Sequence, residues 1–190
     1  MAITDGIGIE CGDLQAAGGI RTILLRTWAV GDSVSYANSG TTHSITSLPG
    51  TWFTYEFKDQ TPALTVTAAK ENGSTSYECS LSFMMPDMDD AKSAAIQQLM
   101  STCMMAIAIG NNGKSYVLGV SQKYANEKQV IRNQTTTSMT GAEGISGSAY
   151  NDDNGWTVTM GCKQWEAIRL YVPSGVGITL YTSGLESTTT

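Results

Sequence analysis

Apolar residues in this chain come in short runs, and the period of two that marks extended strands dominates them. In "GIRTILLRTWAV" (19–30), Ile20, Thr22, Leu24, Arg26 and Trp28 fall on one side of an extended chain, and Arg21, Ile23, Leu25 and Thr27 on the other. Both sides are partly apolar, the pattern of a strand covered on two faces. "GDSVSYANSGTTH" (31–43) reads as a loop, followed by short β-runs in "SITSL" (44–48) and "TWFTYEF" (51–57), with Pro49-Gly50 marking a turn between them. The clearest hairpin spans 62–86. Leu64, Val66 and Ala68 alternate with Thr65 and Thr67, and Tyr77, Cys79, Leu81 and Phe83 alternate with Glu78, Ser80 and Ser82. Asn72-Gly73 sits between the two runs, where positive φ turns the chain. This predicts half-buried antiparallel sheet.

The period changes once. "DMDDAKSAAIQQLMST" (87–102) places Ile96, Leu99 and Met100, with Cys103 just beyond, on one helical face. Asp87 stands at the expected N-cap, and Asp89 and Asp90 put negative charge on the first turn. Strand patterns resume in "CMMAIAIG" (103–110) and "KSYVLG" (114–119), joined by an Asn111-Asn112-Gly113 turn. They return in "NGWTVTMGC" (154–162), in "EAIRLYV" (166–172), and at an edge in "GVGITLYTSG" (175–184). The expected organisation is an extended N-terminal arm over 1–19, one β-domain over 20–184 and a short tail over 185–190. Eight to ten strands and one helix predict a mainly β fold, a two-sheet sandwich or barrel with the helix over 87–102 at its flank.

One stretch does not fit a compact domain. Residues 120–154 form a polar excursion longer than the connections compact domains carry. It holds its own β-formers in "KQVIRNQTTTSM". An isolated hairpin is marginal in water, so the excursion is expected to be an assembly arm, a long β-hairpin ordered by pairing with the edge of a neighbouring subunit. Its candidate contact residues are Lys128, Gln129, Val130, Ile131 and Arg132.

Composition narrows the function. Of the 190 residues 41% are hydrophobic, enough for one core, and only 15% are charged, against roughly 25% in ordinary soluble chains. Ser, Thr, Asn, Gln and Gly make up the difference, which suits surfaces that become covered. The net charge of −6 and the absence of a dense basic patch argue against gripping nucleic acid, though not against sliding past it. Cys11, Cys79, Cys103 and Cys162 are far apart and lack zinc-ligand spacing. With no signal-like or membrane-spanning run, they read as free thiols in a reduced, cytoplasmically made protein.

Candidate chemistry is sparse. His43 is the only histidine and reads as a turn or strand-end residue, with no Gly-x-Ser-x-Gly motif to serve. "YNDDNGW" (150–156) suggests a calcium loop, but aligning Gly155 with an EF-hand glycine leaves Tyr150 and Gly161 at ligand positions. Asp152, Asp153, Asn154, Gly155 and Trp156 are better read as a turn entering a strand. Trp28, Trp52, Trp156 and Trp165 read as core rather than as a stacking platform. No cofactor, metal or catalytic set is expected.

The order of these parts resembles a known family. The hairpin ending "LSFMMPDMD", the helix, "AIAIGNNGKSYVLG", the long arm and "SAYNDDNGWTVTM" are similar to the tail tube (major tail) proteins of tailed bacteriophages, especially phages and prophages of Bacteroides relatives. The matching residues are Asn111, Asn112, Gly113, Lys114, Tyr116, Leu118 and Gly119, then Asp152, Asp153, Asn154, Gly155, Trp156 and Thr157. "CGDLQAAGGIRTILL" resembles the family's entry into its first strand, whereas "SQKYANEKQVIRNQ" departs from it. The resemblance implies a virion protein assembled in the host bacterial cytoplasm. Six copies would form a ring whose inner sheets join into a barrel, and rings would stack into a tube. The genome would pass through without specific binding, with no membrane involved. Partners would be other copies and other tail or connector proteins. Rival readings are a capsid decoration or head–tail adaptor protein, and a calcium-dependent carbohydrate-binding β-sandwich module.

Overall fold

The computed structural model describes residues 17–29, 32–39, 42–122, 136–149, 151–164, 166–173 and 179–181. Among them are twelve strands and one helix. In chain order these are β1 (Ile20–Thr27), β2 (Ser35–Ser39), β3 (Thr42–Ser47), β4 (Thr51–Tyr55), β5 (Ala63–Glu71), β6 (Ser74–Pro86), α1 (Asp90–Met100), β7 (Met104–Gly110), β8 (Ser115–Leu118), β9 (Ser138–Ile145), β10 (Gly155–Gln164), β11 (Arg169–Tyr171) and β12 (Thr179–Tyr181). The fold is mainly β, with two sheets. One has eight strands in the order β12-β4-β1-β7-β8-β11-β3-β2, and the other four in the order β5-β6-β10-β9.

β1 lies inside the larger sheet, paired antiparallel to both β4 and β7. Its successive residues Ile23, Leu24 and Leu25 are all buried, but in different places. Ile23 and Leu25 face the smaller sheet, where Leu81, Phe83, Val158 and Met160 meet Ala106, Ala108 and Leu118 in one core. Leu24 faces the opposite way, into a second core with Trp52, Ile45, Met105, Ile107 and Val117. The two-faced pattern of the sequence is therefore a strand shared by two cores.

The second core exists because the large sheet rolls up. β3 and β4 stand five places apart in that sheet, roughly 24 Å if it were flat. Only residues 48–50 connect them, a link that reaches about 15 Å at full extension. The sheet must curl to bring β3 back toward β4, and the curl encloses Trp52, whose indole N–H donates to Pro49 O at 3.1 Å. No pairing between β12 and β2 closes the roll among the described strands, so it is an open curl rather than a barrel.

Three local expectations are corrected. The loop expected over 31–43 contains β2, which pairs antiparallel with β3. Its signal was weak because Tyr36 is its one large apolar side chain. The helix is shorter than 87–102 and is capped by Asp89, whose carboxylate accepts from Lys92 N at 2.7 Å. β6 runs on to Pro86, so Asp87, at φ +68°, is used in turning the chain. The helix buries only Ile96 and Leu99, leaving Met100 54% exposed. It is neither long nor apolar enough to cross a membrane.

The polar excursion also changes character. Its second half is β9, which pairs with β10 of the same chain, and Thr137 exchanges both backbone hydrogen bonds with Met104 at 2.8 and 2.9 Å. The stretch carries little apolar pattern because it is an edge strand with one face in solvent. The expected arm over the whole of 120–154 is therefore corrected at 138–145, whereas residues 123–135 lie outside the described residues.

Trp52 fills the curl and is fully buried. Trp52→Ala is expected to cost about 3–5 kcal/mol of stability, measured by urea unfolding; a loss below about 1 kcal/mol would contradict a packed second core.

Candidate functional site

The four-stranded sheet has two faces of opposite kind. Its inner face carries Cys79, Leu81, Phe83, Met139, Val158, Met160 and Cys162 into the core. The period of two puts Thr65, Thr67, Glu78, Ser80, Ser82, Ser138, Gly141, Glu143, Thr157, Thr159, Gly161 and Lys163 on the outer face. That face is small-residued and nearly uncharged. Lys163 is paired with Glu78 at 3.0 Å, which leaves Glu143 as the surplus charge.

Its edges are open. β5 and β9 lie at the two ends of the strand order, nine and eight residues long. Edge strands are usually blunted by Pro, by Lys or by brevity. β5 has charges only at its far end, Lys70 and Glu71, and β9 has Glu143 alone. The hairpin joining β5 to β6 turns at Asn72 and Gly73, with φ of +49° and +79°. That two-residue turn fixes the register from Glu71↔Ser74 to Ala63↔Ser82. Val66, on the inward side of β5, is 39% exposed. The hairpin is half-buried along β6 but largely exposed along β5.

The predicted turn residues close a compact loop at the head of β10. The Asp152 carboxylate accepts from Ser148 N at 2.8 Å, Ser148 Oγ at 3.1 Å and Ala149 N at 2.7 Å. Those bonds, the one from Ala149 foremost, hold its pKa below the ordinary carboxylate value. Asp153 pairs with Lys58. Asn154 O accepts from Asp87 N at 2.9 Å, tying the loop to the end of β6. Gly155 has φ +154°, and a Cβ there would lie 2.2 Å from Met85 O. Trp156 lies across from Gly144, packed against the core. The carboxylates are thus committed to hydrogen bonds within the loop and to Lys58, and no group of three potential metal ligands occurs among the described residues. Lys128, Gln129, Val130, Ile131 and Arg132 lie outside the described residues, as does Trp165.

Sequence reasoning missed a polar cluster built around Glu166 and Arg169. Ser121 Oγ and Gln122 N donate to Glu166 Oε1 at 2.8 and 2.5 Å. Arg169 donates to Glu166 Oε2 at 2.7 Å and to Gln122 Oε1 at 2.8 Å, with its guanidinium 5.0 Å from the centre of the Tyr36 ring. His43 Nε2 approaches Glu166 at 3.9 Å; burial and then Arg169 lower its pKa, partly opposed by Glu166. The cluster joins β2, β3 and β11 to the last described residues before 123–135. The only sequence trace is a Glu and an Arg three apart in a chain poor in charge. Asn111 Nδ2 and N donate to Gly18 O and Gly19 O at 2.9 and 3.1 Å, fixing the entry to β1.

Comparison of the chain with protein-family models, with curated proteins and with solved structures finds no match.

Burial opposes the charge on Glu166, yet bonds from Arg169, Ser121 and Gln122 outweigh it and hold the carboxyl below its ordinary value of 4.5. A lowered folded-state pKa stabilises fully above the unfolded value, and that contribution is lost as pH falls through the folded one. Wild-type stability should therefore decline below about pH 4.5. Glu166→Gln should cost about 2–3 kcal/mol at pH 7 and show a shallower acid decline. Urea unfolding between pH 7 and pH 3 checks this, and identical acid slopes would contradict it.

Proposed function

We propose that this chain is a structural subunit of a bacteriophage tail tube, in which six copies make a ring and stacked rings make the conduit for the genome. The observation that carries the reading is the four-stranded sheet with a long, open, nearly uncharged edge on each side. Strand directions alternate along β5-β6-β10-β9, so the two edge strands run in opposite directions. Placing β5 of one copy beside β9 of the next therefore continues an antiparallel ladder. A head-to-tail contact of this kind closes into a ring when the rotation per subunit allows. Both edges of the smaller sheet are then removed, as in any closed barrel.

In such a ring the Ser/Thr/Gly face of the sheet lines the lumen. It presents no unpaired cation among its described residues to hold a phosphate backbone, and the net charge of −6 disfavours retention of nucleic acid. The rolled sheet and α1 form the outer wall. We propose Lys128, Gln129, Val130, Ile131 and Arg132, which lie outside the described residues, as contacts with a neighbouring copy or an adjacent ring. At its ends the tube would meet other tail or connector proteins, and the protein would reside in the virion tail.

Solution mass and negative-stain microscopy of the purified protein test the reading. Rings or tubes are expected for the wild type. Val66→Lys, which places a charge at the open edge, should abolish them while changing monomer stability by only about 0.5 kcal/mol. A wild-type protein that stays monomeric or trimeric at concentrations that crowd it would overturn the tube and favour a decoration or adaptor role.

A further inference from the structure

We propose that Cys79 and Cys162 are a redox-active pair that closes into an intrachain disulfide across β6 and β10, the two inner strands of the four-stranded sheet. The two residues are direct cross-strand partners. Opposed residues in an antiparallel ladder have Cα atoms about 4.5–5.5 Å apart, and disulfides span about 4.4–6.8 Å. Both side chains project to the same inner face, both are free thiols, and both are buried, at 2% and 8% exposure. The ladder already holds them at bonding distance, so closing the bond needs rotation of side chains rather than movement of the backbone.

The surroundings divide the roles between the two sulfurs. The Cys79 thiol faces Gln164 Oε1 at 4.0 Å and Cys162 Sγ, and burial adds to the cost of ionising it. The neighbouring Cys79 thiol, foremost, and the nearby Gly119 N–H favour the Cys162 thiolate over the opposing effect of burial. Gly119 is suited to this place, because a Cβ there would lie 2.7 Å from Thr137 N. Cys162 is therefore the attacking sulfur and Cys79 the resolving one.

With hydrogen peroxide as oxidant the chemistry balances. The Cys162 thiolate attacks one oxygen, the O–O bond breaks, and the departing hydroxide takes a proton to become water. Cys79 then attacks the sulfenic sulfur, the S–S bond forms and the S–O bond breaks. The leaving hydroxide combines with the Cys79 proton as a second water. Two thiols are oxidised and one peroxide is reduced. The bond closes a loop from residue 79 to residue 162, a long constraint on the unfolded chain. In a reducing cytoplasm the pair stays open. Once outside it, the bond staples the wall of the tube; that consequence rests on the tail-tube reading, whereas the bond itself does not.

The test uses the whole reduced protein, treated with a small excess of hydrogen peroxide, then denatured, alkylated and digested. The expected result is a mass loss of about 2 Da, two fewer alkylatable thiols and a linked Cys79–Cys162 peptide pair. Thermal unfolding should rise by several degrees and fall back with dithiothreitol. Cys103→Ser should behave as the wild type, and Cys162→Ser should form no link. Persistence of both thiols would overturn the proposal. So would oxygen adducts on Cys162 without a link, or a bond through Cys11, Cys103 or a second chain. The link can form in a protein that makes no rings, so its failure and that of the tube reading are distinguishable.

Discussion

Backbone hydrogen bonding sets the terms for this molecule. Each strand brings N–H and C=O groups that must be paired wherever water is excluded. The short link between β3 and β4 forces the large sheet to curl, so its ladder wraps around a core of its own, with short strands left at its limits. The smaller sheet has no such constraint. Among the described residues it stays four strands wide, is covered on one face by the large sheet and α1, and ends in two long strands with no further strand paired to them. β1 couples the two halves, since Ile23 and Leu25 serve one core while Leu24 serves the other. A slip of one residue in β1 would exchange the two sets and disrupt both.

The outer face of the smaller sheet follows from the same division. Its inner positions are filled by Leu, Phe, Val, Met and Cys, whereas its outer positions are mostly Thr, Ser and Gly, with the Lys163–Glu78 pair and Glu143. Its hydroxyls are able to bond water without strong charge, and in the proposed ring its small side chains would let neighbouring copies lie alongside. The low overall charge of the chain then reads as a property of surfaces meant to be shared between copies.

Much of this was legible in the sequence, and the failures share a cause. Period-two alternation located β1, β5, β6, β7 and β10, and Asn72-Gly73 fixed a hairpin to the residue, because apolar side chains and a strained turn leave local signatures. β2 and β9 were missed or taken for loop and arm. Tyr36 and Met139 are nearly alone as large apolar residues in them, and their pairing is supplied by distant partners. Asp87 was taken for the helix cap because nothing local reveals that β6 extends to Pro86. The Glu166–Arg169 cluster joins residues some 45 positions apart to Ser121 and Gln122, a tertiary fact with only a faint local trace. The open edges were least legible of all, since an edge is defined by the strand that is not beside it.

The central claim is that β5 and β9 find their missing partners in each other, on neighbouring copies. Backbone amide hydrogen exchange, compared between dispersed and assembled protein, tests it directly. The account predicts new protection over 63–71 and 138–145 on assembly, with β6 and β10 little changed because they are already paired on both sides. Protection appearing instead over β2 and β12, or no gain at either edge of the smaller sheet in an assembled sample, would contradict it.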